Sequence, residues 1–111
     1  MRSLQAKVLP VATALVSISG LTVFHYFATK CAGPYVVYQE EMEPSSVEGD
    51  NRKQIQTIQG TIDFFTRTEF DPLFDSIQDA LNSAGISFRL NSFQREDETG
   101  LLHYEWVFEV S

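Results

Sequence analysis

The sequence predicts an α+β fold: a mainly antiparallel sheet of about five strands with two helices packed on one face, in the order αβββαββ. Three observations carry this. Leu4, Val8, Val11, Leu15 and Ile18 recur at the spacing of one helical stripe. Residues 54–67 and 101–110 alternate apolar and polar side chains with the period of a strand. Between them, Asp71–Gly85 has helix signals at both ends. An amphipathic helix needs sheet surface to cover its stripe, and the sheet needs the helix, so one two-layer body follows. The 111 residues suit a single domain over 1–111, and no internal repeat or low-complexity tract interrupts it.

The first helix is predicted to run to Gly20, whose missing Cβ suits a helix stop. Pro10 would cost about 3 kcal/mol inside it, so the helix is either kinked there or begins at Pro10. After Gly20, the β-branched and aromatic run Leu21–Ala28 reads as a strand. Pro34–Glu41 (PYVVYQEE) is the second strand, with Tyr35, Val37 and Gln39 on one face. Residues 42–53 then form a polar, flexible loop holding Glu43, Pro44, Glu48, Asp50, Asn51 and Arg52. In the third strand, 54–67, Ile58, Gly60, Ile62 and Phe64 share a side, and Gly60 marks a bulge or a close backbone approach.

Asp71 is the expected N-cap of the second helix, with Pro72 at its first position. Leu73, Phe74, Ile77, Ala80, Leu81 and Ala84 form its apolar face, and Gly85 ends it. Ile86–Arg95 and Leu101–Val110 are the last two strands, joined by the hairpin loop Glu96–Gly100. Leu102, Tyr104, Trp106, Phe108 and Val110 fall on one face of the final strand, and His103, Glu105, Val107 and Glu109 on the other.

Residues 8–28 also read as a signal or anchor, with Arg2 and Lys7 ahead of them. A helix over Val8–Gly20 would be only ~20 Å long against a ~30 Å hydrocarbon core. Thr13, Ser17, Ser19, Thr22 and His25 suit a lipid-facing span poorly, and Lys30 before Cys31 spoils a lipoprotein cleavage signal. The expectation is a buried helix and strand; a single-span membrane or exported protein with a small α+β domain is the alternative.

The net charge is −7, and it is uneven. Residues 1–55 balance, whereas 56–111 carry three basic side chains against ten acidic ones. A surface that grips phosphates needs clustered cations, so nucleic-acid binding is disfavoured. The single cysteine, Cys31, rules out an internal disulfide and a multi-cysteine zinc site. No glycine-rich phosphate loop, histidine pair at helical spacing or nucleophile elbow is present. His25 and His103 fall in strands and are expected to be hydrogen-bonded structural residues. Glu96, Asp97 and Glu98 at a hairpin tip point in different directions, and Glu105 and Glu109 lie ~13 Å apart on a strand, which does not suit an acid–base pair. The expectation is an interaction protein, not an enzyme, with no cofactor and no metal.

The residues PYVVYQEE, the Asp-Asn loop and GTIDFFTRTEFDPLFDSIQDALNSAGISFRLNSFQREDETGLLHYEWVFEV, preceded by SGLTVFHYFA, resemble the tail terminator (tail completion) proteins of long-tailed phages and prophages. The likeness covers nearly the whole chain and is most specific at Asp63–Asp75 and Gly100–Val110. It implies a small α+β subunit that forms a homo-oligomeric ring, typically a hexamer, at the virion tail–head junction after assembly in the host cytoplasm. Such a ring ends tail-tube polymerisation, meets the tube protein and the head-neck completion protein, and lets DNA pass without specific binding; no membrane is involved. Two site expectations follow. Residues 42–53, through Glu43, Pro44, Glu48, Asp50, Asn51 and Arg52, reach a neighbouring subunit or the tube. Glu96, Asp97, Glu98, Glu105 and Glu109 face the lumen or an interface, where their charge lets DNA slide.

Overall fold

The computed structural model describes residues 4–41 and 57–110. The elements are α1 (Leu4–Val16), β1 (Thr22–His25), β2 (Tyr35–Glu41), β3 (Ile58–Thr66), α2 (Leu73–Ser83), β4 (Ser87–Arg95) and β5 (Leu102–Val110). The expected order αβββαββ is therefore the observed one. The loop expected over 42–53, with Glu43, Pro44, Glu48, Asp50, Asn51 and Arg52, lies outside the described residues.

The strands form one sheet in the order β1-β2-β3-β5-β4. The β2–β3, β3–β5 and β5–β4 pairs are antiparallel, and β1 alone runs parallel to its neighbour β2. A parallel neighbour obliges the chain to return along the strand before pairing. Four residues of strand span only ~13 Å, so residues 26–34 make that return without a helix. The strand expected over Leu21–Ala28 ends early, at His25. Tyr26 turns the chain there: its φ is 75°, and the Phe27 amide donates to the His25 carbonyl at 3.0 Å, closing a three-residue γ-turn.

Both helices cover the same sheet face, α1 over β1 and β3 and α2 beside β4. Val8, Val11, Ala14 and Leu15 of α1 are buried with Ile77 and Leu81 of α2. They meet Val36, Ile62, Phe64, Trp106 and Phe108 of the sheet. Pro10 lies inside α1. Its cost of about 3 kcal/mol is outweighed by buried Val8, Val11 and Leu15, each contributing about 1.5–3 kcal/mol. The helix does not reach Gly20, because Ser17 leaves it: its hydroxyl donates to the Ala14 carbonyl at 2.7 Å, satisfying a group of the open last turn. Among the described residues no helix is long and apolar enough to cross a membrane.

The ends of α2 follow the sequence signals. The Leu73 amide donates to Asp71 Oδ1 at 2.9 Å, and Pro72 has helical angles of −63° and −15°. At the other end, Ile86 N–H donates to Leu81 O and Gly85 N–H to Asn82 O, both at 3.0 Å. This is the Schellman pattern, which needs the left-handed φ of 75° that Gly85 supplies. Ile86 and Leu81 complete it by packing together in the core.

Of the two readings of Gly60, close approach holds and a bulge does not. Pairing runs through it without a break, to Glu40 on one side and Phe108 on the other. A Cβ at Gly60 would collide with the Gln39 carbonyl oxygen and stand 2.5 Å from the Phe108 ring. The irregularity of the sheet sits instead in β4, between Leu90 and Ser92. We expect Gly60→Ala to lower stability by about 1–3 kcal/mol through overpacking. Gly33→Ala, with nothing within 4 Å of its Cβ position, should stay within about 0.5 kcal/mol of the parent. Urea unfolding midpoints compare the two.

Candidate functional site

Because side chains alternate along a strand, the face turned away from the helices collects the other half of each strand. It carries Phe24 of β1, Tyr35 of β2, Asp63 and Phe65 of β3, and His103, Glu105 and Glu109 of β5, placed by the strand registers. Four rings make a ladder across it. Phe24 meets Tyr35 edge-on at 5.9 Å; Tyr35 stacks on Phe65 at 4.8 Å, and Phe65 on His103 at 4.3 Å. The ladder spans four of the five strands.

His103 joins the aromatic ladder to the carboxylates. Its Nε2 is 2.8 Å from Asp63 Oδ1, and its Nδ1 is 3.7 Å from Glu96 Oε2. The Asp63 hydrogen bond raises the imidazole pKa; burial opposes it, and the negative fields of Asp63, Glu96 and Glu105 add to the rise. Glu105 accepts from Asn91 Nδ2 at 3.0 Å, and Glu109 from Gln59 Nε2 at 2.9 Å. Of the five acidic residues expected to act together, Glu96, Glu105 and Glu109 thus join Asp63 on the face away from the helices. Asp97 and Glu98 do not: they sit exposed in the β4–β5 turn, where Asp97 lies 3.5 Å from Arg95.

The second histidine is also held. His25 lies between the rings of Tyr26 at 4.0 Å and Tyr38 at 4.4 Å. Its Nε2 is 2.8 Å from Glu40 Oε1, and the Tyr26 hydroxyl donates to Glu40 Oε2 at 2.5 Å. Burial pushes the Glu40 carboxyl up, but the Tyr26 and His25 hydrogen bonds together outweigh it and hold the pKa below its usual value. Both histidines are therefore hydrogen-bonded, as the sequence reading expects. Among the described residues no group of three or more His, Cys, Asp or Glu side chains could hold a metal ion.

Sequence reasoning missed one surface. Phe70 is 90% exposed, and its φ of 54° is unusual for a bulky side chain. The turn that presents it is braced: Thr66 Oγ1 donates to buried Asp71 Oδ2 at 2.5 Å, and the Thr68 amide donates to Thr66 Oγ1 at 3.2 Å. Phe70 borders a shallow pocket with Asp71, Phe74 and Tyr104, and Phe93 stacks on the other side of the cluster against Tyr104 at 4.5 Å. Leu90 and Phe93 are 45% and 54% exposed on β4. The irregularity after Leu90 keeps Phe93 on the helix side, opposite Tyr104. Strict alternation from Phe88 and Leu90 would have placed it on the other face, so no periodicity marks it.

Comparison with protein-family models and with curated proteins finds no match for the chain.

The raised His103 value fixes the sign of a pH effect. A proton held more tightly in the folded state stabilises it fully below the unfolded value, and the contribution fades as the pH rises through the folded value. The stability lost in His103→Gln should accordingly be larger at about pH 5.5 than at about pH 9. Urea midpoints of both proteins at the two pH values check this.

Proposed function

We propose that this chain is the subunit of a ring at the head-proximal end of a phage tail tube, where it ends tube polymerisation and joins the tail to the head-neck proteins. The whole-chain resemblance supports the reading, and the αβββαββ order agrees with the small α+β subunit it implies. The observation that carries it is the gathering of Asp63, Glu96, Glu105 and Glu109 on the sheet face that the helices leave uncovered. Turned toward a channel, these carboxylates repel phosphates, so DNA slides past without being held. No bond-making chemistry is required of such a part; its work is self-association and contact at the two ends of the ring.

Tail tube protein polymerised with the purified chain should give tubes of limited length with a ring at one end in negative-stain electron microscopy. Tubes that grow on unchanged, with bare ends, would overturn the reading. The channel assignment has its own check. Rings of a Glu105→Lys, Glu109→Lys variant should retard duplex DNA in a gel at low salt and release it as salt rises, whereas parental rings should leave DNA unretarded at all salt concentrations.

A further inference from the structure

The ring reading leaves open how one subunit meets the next, and the sheet offers a specific answer that rests on that reading. Among the described residues nothing pairs with the outer side of β1 or of β4, the two end strands. An end strand turns unpaired N–H and C=O groups outward, a template for another chain, and proteins usually keep such edges short. β1, with four residues, is short. β4 has nine, spans ~30 Å, and is exposed at every residue except Phe88. Its apolar Leu90 and Phe93 stand open on the helix side of that edge. A long edge flanked by exposed large apolar side chains is the make-up of a docking strand.

Strand direction selects the mate. β2 runs with β1, β3 against β2, β5 against β3 and β4 against β5, so β4 is antiparallel to β1 within one subunit. A second copy rotated about an axis along the strands brings its β1 beside the first copy's β4. The two are then antiparallel, and both helix layers lie on the same side of the joint. We propose that the outer edge of β4 pairs antiparallel with the outer edge of β1 of a second copy, joining subunits head to tail through one continuous sheet. A joint that uses two different surfaces leaves each copy with a free edge at either end, and repetition gives a ring where the rotation between copies closes on the first one. With the helix layer at the larger radius, Asp63, Glu105 and Glu109 face inward.

Charge separates this joint from its rival. Two copies could also pair β4 with β4 about a two-fold axis, which yields a dimer and stops. β4 carries Arg89 and Arg95, on opposite faces of the sheet, and no carboxylate, so that pairing brings two cationic strands together against their mutual repulsion. The β1 edge differs: β1 itself carries no Lys or Arg, and the exposed Glu41 ends β2 behind it. Tyr26 and Phe27 are exposed where β1 ends.

The test is site-directed crosslinking of the full chain in a Cys31→Ser background, with and without tube protein. Thr22→Cys on β1 and Ser92→Cys on β4 both replace exposed residues on the face away from the helices. A short bis-maleimide should give a ladder of multimers ending in one top band only when both substitutions are in the same chain. Each single variant alone should stay monomeric. Dimers from Ser92→Cys alone would establish the two-fold joint and overturn the proposal. No crosslinking, in a double variant that still caps tubes, would overturn the β4–β1 joint while leaving the ring reading in place. No crosslinking together with no capping by the parental chain would remove both. In parallel, Arg89→Glu with Arg95→Glu should reduce the mass seen by light scattering with tube protein present to that of a monomer, while far-ultraviolet circular dichroism stays unchanged; undiminished assembly would count against the charge argument.

Discussion

Two short helices can cover one face of a five-stranded sheet and no more. The helices α1 and α2 hold 13 and 11 residues and are each ~10 Å wide, against a sheet ~24 Å across. Everything else in the molecule follows from that limit. The covered face gathers Trp106, Phe108, Phe64 and Ile62 into the core, with each apolar side chain withdrawn from water contributing about 1.5–3 kcal/mol. The other face has to carry polar groups, and does so with carboxylates in hydrogen-bonded positions and a ladder of stacked rings. Both ends of the sheet stay open because no described segment crosses them.

Within the covered layer, the turn between β3 and α2 shows how local chemistry and packing reinforce one another. Asp71 caps α2 with one carboxylate oxygen and accepts the Thr66 hydroxyl with the other. A buried carboxylate is costly unless its oxygens are paired, and here the last residue of β3 and the first turn of α2 supply the partners. The brace fixes the angle at which the chain leaves the sheet, and with it the exposed position of Phe70. Trp106 makes a comparable link: its ring fills the core while its Nε1–H donates to Gln78 Oε1 at 2.9 Å, tying β5 to α2. These ties hold α2 against the sheet, opposite a face whose ring ladder draws on four different strands.

Much of this architecture is legible in the linear chain, for a reason that differs from element to element. The helix over 73–83 is marked by local signals, Asp-Pro before it and Gly85 after it, which act within a few residues and need no tertiary partner. The strand over 58–66 is marked by alternation, because one side of it is buried and the other is not. The segment after Gly20 was legible as strand but not in length, since its end depends on Tyr26 closing onto Glu40, a residue fourteen positions away. The five-acid group divides for the same kind of reason. Glu105 and Glu109 share a face by simple alternation, Glu96 joins them because His103 lies within 3.7 Å, and Asp97 and Glu98 belong to a turn that points past the sheet edge.

Composition and periodicity alone were enough for the α+β class, the order of elements and the two faces of β3 and β5, because these depend on each residue's preference for water and on its immediate neighbours. Strand neighbours were a different matter. That β5 inserts between β3 and β4, that β1 lies parallel to β2, and that β4 ends the sheet among the described residues are outcomes of packing the whole sheet under two helices. The irregularity at Asn91 and the His103–Asp63 contact are equally tertiary. Each joins residues whose sequence separation or register no local rule encodes, and only the folded chain brings their atoms within bonding distance.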